Sequence, residues 1–216
     1  MSPRGRPRAF DREHALTQAM FVFWERGYEG TSLADLTGAM GINPPSLYAA
    51  FGSKEALFRE AVDRYGTTYG SHTPRTLAEE PTAREAIEAM LRDNARTYVE
   101  PGHPTGCMVV LSGTNCSPAN RGVCDLLAES RADVRQLIRE RLQRGIDAGE
   151  LTGDPDALGA YYATVLFGLS MQARDGVDLA GLTAAIDLAM RSWPGTDAGY
   201  ATGAASEVDT APVASS

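Results

Sequence analysis

MGINPPSLYAAFGSKEALF, residues 40–58, sets two prolines side by side between segments of helical character. Proline has no amide hydrogen and collides with the preceding turn, costing a helix interior about 3 kcal/mol or more. It fits only in the first turn, whose amides have no intrahelical partner. The stretch therefore reads as a helix that starts abruptly. Asn43 caps it, Pro44 and Pro45 take its first two positions, and Ser46 to Phe51 complete barely two turns. Gly52 stops it. Ser53 caps the next helix, expected over 53–70 with Leu57, Phe58, Ala61, Val62 and Tyr65 on one apolar side.

Upstream, Leu16, Ala19, Met20, Phe23 and Trp24 recur at helical spacing, with Asp11 as N-cap and Gly27 as stop. Thr31 and Ser32 open a second helix, and Ser32 and Asp35 have capping-box spacing. Leu33, Leu36 and Met40 form its buried stripe, and Gly41 stands where a tight turn needs a left-handed residue. Helix, helix, tight turn, short helix and long helix is the order of a helix-turn-helix unit.

Downstream the pattern is helical throughout but less sharply punctuated. One helix is expected within 82–99 and another within 119–149; a further one starts at Asp154-Pro155. A last helix carries Leu179, Leu182, Ile186, Ala189 and Trp193. EPGHPTG, residues 100–106, is a loop, and CMVVLSG after it is ambiguous between helix and strand. Residues 195–216 are small and polar without periodicity, the composition of a disordered tail. The expected fold class is all-α.

The 216 residues carry a net charge of −8, unevenly distributed. In the first twelve, Arg4, Arg6, Arg8 and Arg12 oppose Asp11 alone, a net +3. Over 1–54 the balance is +1, so the acidic surplus lies wholly beyond residue 54. The first quarter suits a polyanion and the remainder does not. No apolar run reaches the roughly 18 residues of a membrane span. MSPRGRPRAF lacks the apolar core of a secretory signal, so a soluble cytoplasmic protein without a membrane partner is expected.

Cys107, Cys116 and Cys124 are too few and scattered for a disulfide framework, and free thiols are expected. With His103 they match no zinc spacing, so no metal site or cofactor is expected. No catalytic partner for a cysteine nucleophile stands out, and the chain has no G-x-G-x-x-G, P-loop, H-E-x-x-H or G-x-S-x-G signature. An enzyme is not expected.

Residues 15–62, ALTQAMFVFWERGYEGTSLADLTGAMGINPPSLYAAFGSKEALFREAV, resemble the tetracycline-repressor (TetR/AcrR) family of bacterial regulators. GY-x-x-T-S, the glycine of the turn, SLY-x-x-F and K-E-x-L-F all stand in family register. The resemblance implies a three-helix helix-turn-helix DNA-binding domain over 1–54, with a basic arm at 1–10. It also implies a helical effector-binding and dimerisation domain over 55–194. The implied function is a homodimeric repressor that leaves a near-palindromic double-stranded operator when a small-molecule effector binds. A metal- or redox-sensing regulator on the same scaffold is the first alternative reading, and an enzyme using the helical domain a more distant one.

Carried onto this chain, the resemblance implies that Thr31 binds a phosphate and that Asn43, Pro44, Pro45, Ser46 and Ala49 face the major groove. Tyr48 and Lys54 then lie on the sugar-phosphate backbone; Leu47 and Phe51 are core. The short helix holds no Arg, Lys or Gln to read a purine bidentately. Readout then leans on thymine methyls and DNA shape, with Arg4, Arg6 and Arg8 entering an adjacent minor groove. Candidate pocket residues are Tyr98, His103, Met108, Tyr161, Phe167 and Met171. Trp193 is weighed with them; each serves equally as core or seam. Leu158, Tyr162, Val165, Leu179, Leu182 and Ile186 are candidates for a dimer seam in a four-helix bundle.

Overall fold

The computed structural model describes residues 11–113 and 116–196. Helix α1, Arg12–Arg26, starts at Asp11, whose carboxylate accepts from the amides of Glu13 and His14. It stops at Gly27, with φ 69°. Helix α2, Leu33–Met40, opens with the full Ser32/Asp35 capping box and closes at Gly41 in the left-handed conformation. Helix α3, Pro44–Phe51, has its prolines in the first turn, and the Asn43 side chain accepts from the Ser46 amide. Helix α4, Lys54–Thr67, is capped by Ser53 and is shorter than the expected 53–70.

These four helices bury Phe23, Trp24, Leu36, Leu47, Leu57 and Phe58 in one core. Arg12 locks the bundle from outside. Its guanidinium bonds Glu60 at 2.7 Å and lies 4.4 Å from the Phe51 ring centre. Every buried residue of α4 belongs to this first core, and Met108, Val123 and Leu127 from beyond it join the same cluster.

Helix α5, His72–Glu79, was not anticipated. Its buried side chains are Thr73, Thr76 and Leu77, and Ser71 makes no side-chain cap, so neither periodicity nor punctuation advertises it. Helix α6, Ala83–Val99, begins with a Thr82/Glu85 capping box. The ambiguous apolar stretch forms one helical turn, α7, Met108–Leu111. A 3-10 turn, Pro118–Asn120, leads into α8, Arg121–Asp147; α9, Pro155–Arg174, and α10, Leu179–Arg191, follow. Among the described residues there is no strand, and no helix is long and apolar enough to cross a membrane.

A second core joins α5, α6, α8, α9 and α10 around Ile87, Leu91, Tyr98, Ile138, Tyr162 and Ile186. The loop before α7 is pinned against α9. Gly106, at φ 77°, lies so close to Ser170 that a Cβ there would sit 2.7 Å from its carbonyl oxygen. The Cys107 amide donates to Ser170 Oγ at 2.8 Å.

The expectation of three free thiols is corrected. Cys116 and Cys124 are joined as a disulfide with Cα atoms 6.1 Å apart, and Cys107 alone is free. The 3-10 turn folds the chain back upon the first turn of α8, bringing together sulfurs that are eight residues apart in sequence.

Candidate nucleic-acid interface and effector cavity

The caps that start and stop α3 also decide which side of it is free. Leu47 and Phe51 point into the first core, whereas Asn43, Pro44, Pro45, Tyr48 and Ala49 are exposed and Ser46 is half-buried. Tyr48 retains 47% of its surface. Among the described residues, the outer side of α3 is thus a bare ridge of small and apolar groups with one phenol. Asn43 accepts from Ser46 through Oδ1, so any base contact by that oxygen competes with the cap. Asn43→Ala should lower stability by about 1 kcal/mol through cap loss. It should also change which duplexes are preferred, as read by selection from a random-sequence pool.

Two expected phosphate contacts are placed differently from a free surface group. Thr31 is 2% exposed and its hydroxyl donates to the Gly27 carbonyl at 2.6 Å. That side chain closes the α1–α2 turn and is not presented outward; Ser32, one residue later, is the exposed cap. Lys54 Nζ donates to the Tyr28 carbonyl at 2.7 Å and sits 4.2 Å from the Tyr28 ring centre. Partial burial pushes its pKa down, against the attraction of Glu29. An ammonium has three donors, and the bond to Tyr28 uses one of them. Arg4, Arg6 and Arg8 lie outside the described residues.

Above this head lies a cavity of about 540 Å³ between α4, α5, α6, α7, α8 and α9. Of the candidate pocket residues, Tyr98 and Phe167 border it, together with Tyr65, Val109, Val110, Val134, Leu137 and Leu166. Polar groups are few. Asn94 donates to Thr73 Oγ1 and to the Met90 carbonyl, both at 2.8 Å, and Arg131 donates to the Val109 carbonyl at 2.9 Å. The Cys107 thiol hydrogen-bonds with the hydroxyls of Tyr65 and Tyr98, and burial pushes its pKa up, so it stays protonated.

The other pocket candidates lie elsewhere. His103 stacks on Trp24 at 4.8 Å and meets Tyr69 edge-on, while Met108 is fully buried in the first core. Tyr161 is about 40% exposed on the outer side of α9, and Met171, equally exposed, borders a separate cleft with Glu25 and Arg174. Sequence reasoning missed Tyr65, Asn94 and Arg131, which come together only through the packing of three helices.

The seam candidates divide in the same way. Tyr162, Leu182 and Ile186 belong to the second core and cannot form a seam; Leu158 and Val165 are half-buried, and Leu179 is exposed. The outer side of α9 and α10 instead presents Tyr161, Val165, Gly168, Ala185 and Leu188 along one shallow groove. Leu188, 64% exposed, is the most exposed of the large apolar side chains described.

Among the described residues, hydrogen bonds tie the head to the body at several points. Arg174 of α9 bonds the Glu25 carboxylate at 3.0 Å and the Glu25 carbonyl at 2.6 Å. Ser112 donates to the Phe23 carbonyl at 3.2 Å. Glu29, in the α1–α2 turn, accepts from the Ser117 amide at 2.7 Å and from the Asn120 side chain at 3.0 Å. Those bonds hold the Glu29 carboxyl down at about 2, the Asn120 amide contributing most. Because the folded value is depressed, this tie persists below neutral pH through the ordinary carboxylate range and is lost only as pH falls toward that value.

Comparison with known proteins agrees with this geometry. A family model described as bacterial regulatory proteins, tetR family, matches residues 15–61. A second, described as tetracyclin repressor-like, C-terminal domain, matches residues 83–193. The chain is 34% identical to the HTH-type transcriptional repressor ComR of Escherichia coli, across 88% of this chain and 92% of that one. It is 32% identical to the repressor BdcR of the same organism, across 86% and 90%. Among solved structures, a cysteine-substituted variant of the regulator CifR, complexed with 26-base-pair double-strand operator DNA, is 49% identical with a TM-score of 0.85. It covers 88% of this chain, which spans all of that one.

Proposed function

This chain belongs to the TetR family of bacterial transcriptional regulators, and we propose on that premise that it is a homodimeric, effector-released repressor of a near-palindromic operator. The observation that carries the reading is the bare outer side of α3, backed by buried Leu47 and Phe51 and cut free at both ends by its caps. A rod of that size enters a major groove, and two of them on a symmetric dimer reach half-sites on one side of a duplex. Asn43, Pro44, Pro45, Ser46 and Ala49 meet base edges, while Tyr48 and Lys54 hold the backbone. Tyr28 anchors the lysine and leaves two of its donors for a phosphate. The basic arm with Arg4, Arg6 and Arg8 follows the neighbouring minor groove. The chain works by binding rather than turnover, in the cytoplasm where its operator lies.

Selection of duplexes from a random-sequence pool by the purified full chain tests the reading. Recovery of an inverted repeat supports it, and recovery of no preferred sequence overturns it. Lys54→Ala should weaken all recovered duplexes about equally and make the salt dependence shallower by about one phosphate. A change confined to certain sequences would instead make Lys54 a reader of bases.

The effector occupies the cavity bordered by Tyr65, Tyr98, Val110 and Phe167, a mostly apolar chamber with a few convergent polar groups. Its walls include α4, so a ligand that favours one packing of α4 against α8 shifts the head. Val110→Trp should fill the chamber. Compounds that raise the melting temperature of the wild type and release its DNA should then do neither, as measured by thermal denaturation and DNA titration in parallel.

A further inference from the structure

Residues 116–124 form a small closed loop at the joint between head and body. Its two ends are the disulfide sulfurs, and it contains the 3-10 turn and the first residues of α8. The loop grips the head. The Ser117 amide and Asn120 side chain both bond Glu29, the carbonyl of Gly122 accepts from Arg59 of α4 at 3.5 Å, and Val123 is buried in the first core. Asn120 is the residue before α8 yet makes no side-chain cap for that helix; its Nδ2 donates to Glu29. The start of α8 thus has a disulfide where a cap would otherwise hold it. Cys116 and Cys124 are both half-buried, and each is followed by an exposed residue, Ser117 and Asp125.

We infer that Cys116 and Cys124 are a thiol–disulfide switch whose oxidised form holds the reading head in its operator-binding orientation through Glu29. The physical case has two parts. Disulfides of cytoplasmic proteins are mostly transient or redox-sensing rather than structural. This one closes the short segment whose shape sets the Ser117 and Asn120 donors around one carboxylate of the α1–α2 turn, three residues before the cap of α2.

Reduction proceeds by attack of a small thiolate on one sulfur. The S–S bond breaks, a mixed disulfide forms, and the second cysteine leaves as thiolate and takes up a proton. A second thiolate resolves the mixed disulfide. In total two small thiols become one small disulfide, and their two electrons and two protons leave the protein as a dithiol. A small-molecule disulfide drives the reverse. With the loop open, the start of α8 frays and Glu29 loses its fixed partners, so the head is held to the body by fewer contacts and its orientation is less fixed. Ordering it again on DNA then opposes binding.

The inference rests on the operator-binding reading above, and the test separates the two. Duplexes are selected from a random-sequence pool by the full chain in both redox states, oxidised with glutathione disulfide and reduced with dithiothreitol. Thiol counts by alkylation and mass spectrometry verify each state. The oxidised chain should bind its best duplex at least roughly five-fold tighter, the lower end of ordinary allosteric coupling. Cys116→Ser/Cys124→Ser should bind like the reduced wild type and ignore dithiothreitol, whereas Cys107→Ser should keep the response. Glu29→Ala should uncouple the response while its disulfide still forms. Amide exchange in residues 27–32 should quicken on reduction, an observation that needs no substitution. Equal affinity in the two states, tighter binding on reduction, or failure of the disulfide to form would each overturn the switch while leaving the repressor reading intact. Absence of any sequence-preferring binding in both states overturns the repressor reading itself.

Discussion

Leu188→Glu is expected to make the chain monomeric and to lower operator affinity by at least about 100-fold, the lower bound for losing one of two linked binding modules. Leu188 is 64% exposed on α10, beside Tyr161, Val165 and Ala185 on the neighbouring face of α9 and α10. A continuous apolar groove of this kind marks a surface that another protein covers, and two antiparallel pairs of helices close into a four-helix bundle. A carboxylate at its centre, meeting its own symmetry copy, places two like charges in a desolvated seam. The substitution leaves the core untouched, so light scattering should show a folded chain of half the mass. Leu188→Met keeps the apolar volume and should remain dimeric. A Glu variant that stays dimeric and binds DNA normally would remove α9 and α10 from the seam.

Trp24→Ala should cost about 3–5 kcal/mol of unfolding free energy, the usual range for deleting a fully buried large aromatic. That corresponds to a drop of roughly 10 °C in melting temperature for a chain of this size. Trp24 is 1% exposed, and its ring meets Tyr65 at 4.9 Å, Tyr69 at 5.2 Å and His103 at 4.8 Å. The void therefore opens where α1, α4 and the loop before α7 converge. Tyr65 also borders the cavity proposed for the effector, so the loss should be felt there as weaker ligand binding. Trp24 Nε1 has no hydrogen-bond partner among the described residues. Trp24→Phe sacrifices no bond and should cost well under half as much. Equal losses for Phe and Ala in urea titrations would mean that the indole nitrogen, not packing, carries the effect.

Residues 11–67 were legible from the chain alone because their determinants are local. A capping side chain reaches an amide two or three positions away, and a glycine or proline constrains its own backbone, so the signal and its effect lie within one turn. The same locality made the exposed side of α3 readable, since Leu47 and Phe51 are four residues apart and therefore share a side. Helix α5 escaped because two of its three inward residues are threonines, Thr76 bonding carbonyls of the previous turn and Thr73 accepting from Asn94, which leaves a face that looks polar in sequence.

Tyr161 and Tyr162 mark the limit. They are adjacent and chemically identical, but about 100° apart around α9, and one is exposed while the other is core. Which direction faces inward depends on where α8 and α10 lie, which no short window contains. The pairing of Cys116 with Cys124 and the capture of Lys54 by Tyr28 are decided the same way, by chain reversals that bring distant atoms together. Sequence by itself determined the helices of the head and their order, because those depend on neighbours along the chain. Tertiary structure alone decided the cavity, the apolar groove on α9 and α10 and the clasp on Glu29, because burial and hydrogen bonding there are properties of helices packed against one another.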